Sequence, residues 1–168
     1  MAPRLLVLTR TTGYRHDSIP AGIAALRTLG DFEVHATEAC TEYDWPYYGE
    51  LLGARFARHP LHQPGKAVVE DHDHPATRHL PAVWEFTDEW YDFRTNPRGS
   101  VRVLATADES SYEGGGMGAD HPLVWCRDHG RGRVFYTALG HAPEAYEDPA
   151  FRAHLLGGIT WAARLPSA

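Results

Sequence analysis

RLLVLTRTTGYRHDSIPAGIAALRTLGDFEVHAT, residues 4–37, decides the fold. Residues 5–9 form an apolar run that stops at Arg10, the pattern of a strand covered on both faces. Ser18 then offers an N-cap, and Ile19 and Pro20 begin a first turn. Ile23, Ala24, Leu26 and Leu29 supply one apolar face, and Gly30 closes the helix. Residues 32–37 alternate apolar and polar, as a second strand does. Strand, helix, strand in that order open a parallel α/β sheet, because parallel neighbours require a crossover between them.

Downstream the pattern changes. Residues 38–50 carry no third strand, and residues 51–56 suit a short helix or turn. From Lys66 the chain reads as strands at 66–71, 85–93, 101–106, 123–127 and 133–140, joined by loops rich in Gly, Pro, Asp and His. The C-terminal helix is well marked. Asp148 caps it, Pro149 takes its first position, and Phe151, Leu155, Ile159 and Ala162 follow at helical spacing before Pro166. The glycine-rich stretch 114–118 is a lid or hairpin spacer: it lacks the Lys-Ser/Thr of a phosphate loop and does not open a helix.

At 168 residues the chain fits one domain, with a core large enough to need no staples. A net charge of −6 argues against a nucleic-acid partner. Its two cysteines show no CxxC spacing, which argues against a disulfide scaffold or a thiolate zinc site and fits a reducing cytoplasm. No apolar run approaches the ~20 residues that cross a bilayer. No cofactor is expected, and no metal.

Eleven histidines and five tryptophans are the unusual counts. The loop after the first strand holds Arg10, Gly13, Arg15 and His16 where ligands collect in doubly wound folds, at the carboxyl end of a strand. Arg15 offers a rigid donor fork for an oxyanion or hydroxyls, and His16 moves a proton near neutrality. In residues 88–91, strand alternation puts Glu89 and Tyr91 on the cleft face and Asp88 and Trp90 on the other. His121 and His141 flank the last two strands, so antiparallel pairing would bring them to one rim. Trp125 is a pocket wall or a core residue. The pair His72 and His74 lies in a polar loop and is a weak metal candidate. No Ser or Cys nucleophile stands out, since Cys126 lies inside a strand.

These blocks resemble the ThuA-like (trehalose utilisation) family. The resemblance rests on LTRTTGYRHDSIPAGI (8–23), WPYYGELLGARFARHP (45–60), DEWYDF (88–93) and DHPLVWCRDHGRGRVFYTALGH (120–141) with the tail YEDPAFRAHLLGGITWAA (146–163). It implies a flavodoxin-like, class I glutamine-amidotransferase-like sheet with helices on both faces, with the extra strands in the second half. It also implies a small carbohydrate ligand, a disaccharide or keto-sugar, with Arg15, His16 and His141 as catalytic groups. Arg10, Gly13, Glu89, Tyr91, His121 and Trp125 become binding groups. Amidotransferase chemistry does not carry over. A non-catalytic sugar-binding or regulatory domain and a metal-dependent hydrolase are the alternatives, and a second copy of the chain is a further candidate partner. One departure stands out: near residues 37–40 a strand–helix block that the family carries is missing.

Overall fold

The computed structural model describes residues 3–9, 15–37 and 46–166. Arg10, Gly13 and the junction at 38–40 lie outside them. The N-terminal unit is β1 (Arg4–Leu8), α1 (Ser18–Leu29) and β2 (Glu33–Thr37), with β1 and β2 parallel and in register from Arg4 opposite Glu33 to Leu8 opposite Thr37. The expected crossover therefore forms. Its helix begins differently: Ser18 is the first helical residue and is buried, while Asp17 stands in the cap position without a side-chain bond to the backbone.

The chain continues through α2 (Pro46–Leu52), β3 (Phe56–Arg58), β4 (Gln63–Val69), β5 (Val83–Asp88), β6 (Asp92–Phe93), β7 (Arg102–Ala107), β8 (Pro122–His129), β9 (Gly132–Thr137) and α3 (Pro149–Ala162). A five-stranded sheet runs β5-β4-β7-β8-β9, antiparallel throughout, and β3 pairs with β6 beside it. In this sheet only β8 and β9 are joined by a tight hairpin; β4 reaches β5, and β7 reaches β8, through longer loops, and β7 returns to pair with β4. The stretch read as one strand over 85–93 is two: β5 ends at Asp88, and residues 89–91 lie outside either ladder before β6. The architecture is mixed α/β, as expected, with the added strands in the second half.

The main core lies against the five-stranded sheet. Trp90, Leu104, Leu123, Trp125 and Phe151 are fully buried in it. Each such side chain contributes about 1.5–3 kcal/mol by leaving water. Asp148 accepts from the Phe151 amide at 2.8 Å, the cap that starts α3. α3 packs on β9, and α1 packs on α3 and on the 3-10 turn Pro143–Glu147. Arg152 reaches Thr28 Oγ1 at 3.0 Å across that contact. The β1–β2 pair is not hydrogen-bonded to the larger sheet, and Leu6 is 67% exposed.

Gly157 sets how closely α3 approaches. A methyl group there would run into the backbone of Pro75 and Ala76. Gly157→Ala is expected to lower stability by about 2 kcal/mol, because backbone cannot yield as a side chain can, even though alanine favours the helix by ~1 kcal/mol. Thermal unfolding checks this; a midpoint at or above that of the unmodified chain would show that α3 has room to shift.

Candidate functional site

The site is organised by a carboxylate that the alternation argument had turned away. Asp88, at the end of β5, is completely buried. It accepts from the backbone N–H groups of Gly140 (2.6 Å), His141 (3.1 Å) and Glu89 (2.8 Å). Gly140 holds the turn after β9 at φ +109°, and a Cβ there would lie 2.9 Å from Phe151. Only glycine suits both demands. Burial pushes the Asp88 carboxyl above its usual range, against the pull of those N–H groups.

This tie brings Glu89 and His141 together. His141 Nδ1 is 2.9 Å from Glu89 Oε2, and His59 Nε2 is 3.5 Å from the same oxygen. A carboxylate facing Nδ1 makes that nitrogen the donor, so Nε2 carries the lone pair. The His16 ring meets the His141 ring edge-on, with centroids 4.7 Å apart, and His62 lies 5.8 Å from it on centroids. Burial holds the His141 imidazole below the ordinary histidine range; Glu89 opposes that shift, and the neighbouring His16 and His62 add to it. A chamber of about 400 Å³ opens here, lined by His16, Asp17, Ser18, His62, His141 and Glu144. It sits at the N-terminus of α1, whose positive dipole end favours negative charge.

Of the residues read from sequence, His16, Glu89 and His141 converge. Arg15 is exposed, next to His16. Tyr91 is half-buried against Phe56 and His59. Glu89 and Tyr91 are thus the half-buried pair, with Asp88 and Trp90 buried on the other side, the alternation read from the sequence. Trp90 is buried, its indole N–H donating to the Gln63 carbonyl at 3.1 Å.

Two assignments need correction. His121 is fully buried and does not share the rim with His141: its Nε2 faces the Tyr91 carbonyl at 2.9 Å, and its Nδ1 faces Glu109 (2.8 Å) and the Tyr112 hydroxyl (3.1 Å). It precedes β8 on the interior side, where strand pairing carries no side chain outward. Trp125 is core, stacked on Tyr136 at 4.2 Å with its N–H given to the Leu52 carbonyl. Cys126 is buried as well, and burial pushes its thiol up to about 11, so it is no nucleophile near neutrality.

Among the described residues, three or more donor atoms gather as a metal would need only at Asp92, Glu109 and His121, all within 4.8 Å. Those carboxylates are already engaged. Glu109 accepts from the Met117 N–H, Asp92 accepts from the Gly116 N–H, and Arg58 pairs with Asp92 at 2.8 Å. The cluster fastens the glycine-rich 114–118 stretch.

His59, His62, Asp88 and Glu144 were not singled out from sequence as site residues. His59 and His62 sit outside any periodic pattern, and proximity to His141 exists only once β4 and β5 pair.

The family model for trehalose utilisation (ThuA) matches residues 30–162. The chain belongs to the ThuA family. Two solved ThuA-like proteins share its fold. That of Bacteroides uniformis is 20% identical with a TM-score of 0.76, over 96% of this chain and 92% of its own. That of Parabacteroides merdae is 19% identical with a TM-score of 0.74, over 96% and 90%. PurLQS from Thermotoga maritima is 12% identical with a TM-score of 0.55, over 96% and 99%, which relates this ThuA chain to the amidotransferase-like fold. None of the curated proteins matches the sequence. Among the described residues, no helix of this ThuA protein is long and apolar enough to cross a membrane.

Proposed function

We propose that this ThuA protein binds a sugar, a disaccharide or its keto form, at the His16–His141–Glu89 rim and moves a proton next to the sugar carbonyl. The observation that carries the reading is the 2.9 Å contact between Glu89 and His141 Nδ1 beneath an open chamber. Glu89 fixes the tautomer, and His141 Nε2 is then a neutral base at pH 7 because burial holds its proton affinity down. Taking a proton from the carbon beside a carbonyl pushes charge onto the oxygen. His16, Arg15 and the α1 N-terminus are the groups suited to that enolate. The proton on His141 then returns to the neighbouring carbon or serves a leaving group.

The test is deuterium exchange at the carbon next to the carbonyl of a 3-keto-glucoside, followed by NMR in heavy water. His141→Ala should slow exchange by about 10²-fold or more, the usual worth of a positioned base. Glu89→Gln should slow it less and alter its pH profile, which in the unmodified chain rises through a midpoint below the ordinary histidine value. Exchange that ignores His141→Ala would end this reading.

A second reading, sugar binding without turnover, is favoured by one feature. The β1–β2 pair stands apart from the main sheet with Leu6 exposed. That fits a strand–helix block missing near residues 37–40, and a group needed for turnover would be lost with it. Under this reading sugars bind and no exchange occurs. A metal-dependent hydrolase has less support, because among the described residues the donor atoms that converge are those of Asp92, Glu109 and His121.

A further inference from the structure

His59 stands beside the Glu89–His141 pair, and both of its ring nitrogens face acceptors. It directly follows β3, which pairs with β6 and is tied there by the 2.8 Å contact between Arg58 and the buried Asp92. Pro60 comes next and restricts the His59 backbone. Pro60 in turn packs on Gly114, where an added Cβ would lie 3.0 Å from the proline Cβ. So mounted, the His59 ring places Nδ1 2.8 Å from the Pro60 carbonyl and Nε2 3.5 Å from Glu89 Oε2.

A carbonyl oxygen only accepts, so Nδ1 of His59 carries a proton. A carboxylate also only accepts. A neutral His59 would therefore turn the Nε2 lone pair towards Glu89, whereas a ring protonated on both nitrogens meets both acceptors as a donor. The Phe56 and Tyr91 rings lie 5.9 and 5.7 Å from it on centroids, within the range at which aromatic rings attract a cation. These surroundings are complementary to an imidazolium. The same Glu89 Oε2 is the atom 2.9 Å from His141 Nδ1, so one carboxylate oxygen serves both rings. On its other sides His141 is faced by Asp88, His16 and His62, and Asp17 and Glu144 line the chamber with it.

Resting on the proton-transfer reading above, we propose that a charged His59 is a positioning residue of the rim: it holds Glu89 Oε2 in place for His141 and takes up part of its charge, so that His141 is a weaker base than a histidine–carboxylate pair alone would be. His59 acts through Glu89 and does not touch the reacting atoms.

The test titrates the His141 ring by 13C NMR in the full chain, with the signal assigned by its loss in His141→Ala. His59→Gln keeps a donor but removes the charge, and it should raise the His141 midpoint by about half a pH unit. The shift is modest because the His59 side chain is 36% exposed and solvent screens its charge. His59→Lys keeps a cation and should return most of that shift. A merely structural role for His59 would move neither midpoint. In the deuterium-exchange assay the pH profile of His59→Gln should move in the same direction, with its plateau falling less than that of His141→Ala. A His141 midpoint unmoved by His59→Gln overturns the inference. An equal rise in His59→Lys does so too, since charge is then not what acts. The NMR midpoint needs no sugar. If it moves and no variant or parent shows exchange, the rim reading fails while the link from His59 through Glu89 to His141 stands. If exchange is seen and the midpoint stays, this inference fails and the rim reading stands.

Discussion

Replacing Asp88 with alanine is expected to lower the stability of the chain by about 3 kcal/mol, measured as the free energy of urea unfolding. The change strips the acceptor from three backbone N–H groups, those of Gly140, His141 and Glu89. A buried donor left without a partner costs ~1–3 kcal/mol. The sum is discounted because the carboxylate is itself costly to bury, as its raised proton affinity shows. Asp88→Asn keeps the shape but turns an NH2 group towards donors, so it should fall between alanine and the native residue. Glu89→Gln, at the rim, should leave stability within ~0.5 kcal/mol. The three variants therefore separate scaffold from chemistry: Asp88 changes act on stability, and Glu89 changes act on the sugar reaction. An alanine variant as stable as the parent would mean that these N–H groups find other partners.

The second large effect is acid lability. His74 and His154 are both fully enclosed, and burial pushes each imidazole down to about 4. The Ala76 N–H donates to His74 Nδ1, so that ring carries its proton on Nε2. The Ala76 carbonyl accepts from His154 Nδ1, which leaves Nε2 of His154 as a lone pair. Neither Nε2 atom has a hydrogen-bond partner.

Well above pH ~6.5 both rings are neutral, folded or unfolded, and their contribution is fully present. As pH falls from ~6.5 towards 4 the unfolded chain takes up protons that the folded chain refuses. Stability then drops by about 1.4 kcal/mol per pH unit for each group, so His154 alone removes on the order of 3 kcal/mol. Asp88 works in the opposite direction at the acid end, since its folded affinity for a proton is raised. Unfolding measured between pH 7 and 5 follows this uptake, to which His141, also held down by burial, adds and from which Asp88 subtracts. His154→Leu should flatten that slope by about one proton. An unchanged slope would place the uptake elsewhere.

The sequence made the two ends of the fold plain and the middle obscure. β1, α1 and β2 follow from an apolar run and a helical face, and α3 follows from Asp148 and Pro149, because those signals are local. The break after Asp88 is not local. Burial alternates on through Asp92, but the ladder ends where Asp88 meets Gln63, the first residue of β4, whose carbonyl takes the Trp90 indole N–H. The histidine rim was half visible. His16 and His141 lie beside recognisable elements, whereas His59 and His62 gain meaning only by standing near Glu89 and His141. His121 misled for a related reason: its place beside β8 was right, but its ring points to Glu109 and Tyr112, partners that no spacing rule connects. Asp88 was missed because adjacent carboxylates do not reveal which one is buried.

The packing of α1 against the far end of the chain has a consequence for synthesis. β8 and β9 form a tight hairpin, and the other pairings of that sheet join segments that all lie between Gln63 and Thr137. α1 instead rests on the turn Pro143–Glu147 and on α3, with Gly22 against the Tyr146 ring. On a ribosome adding ~5–20 residues per second, α1 waits roughly 10 s for the surface that covers it. α1 is thus made well before it is sheltered, and during that interval its apolar face is one a chaperone would meet.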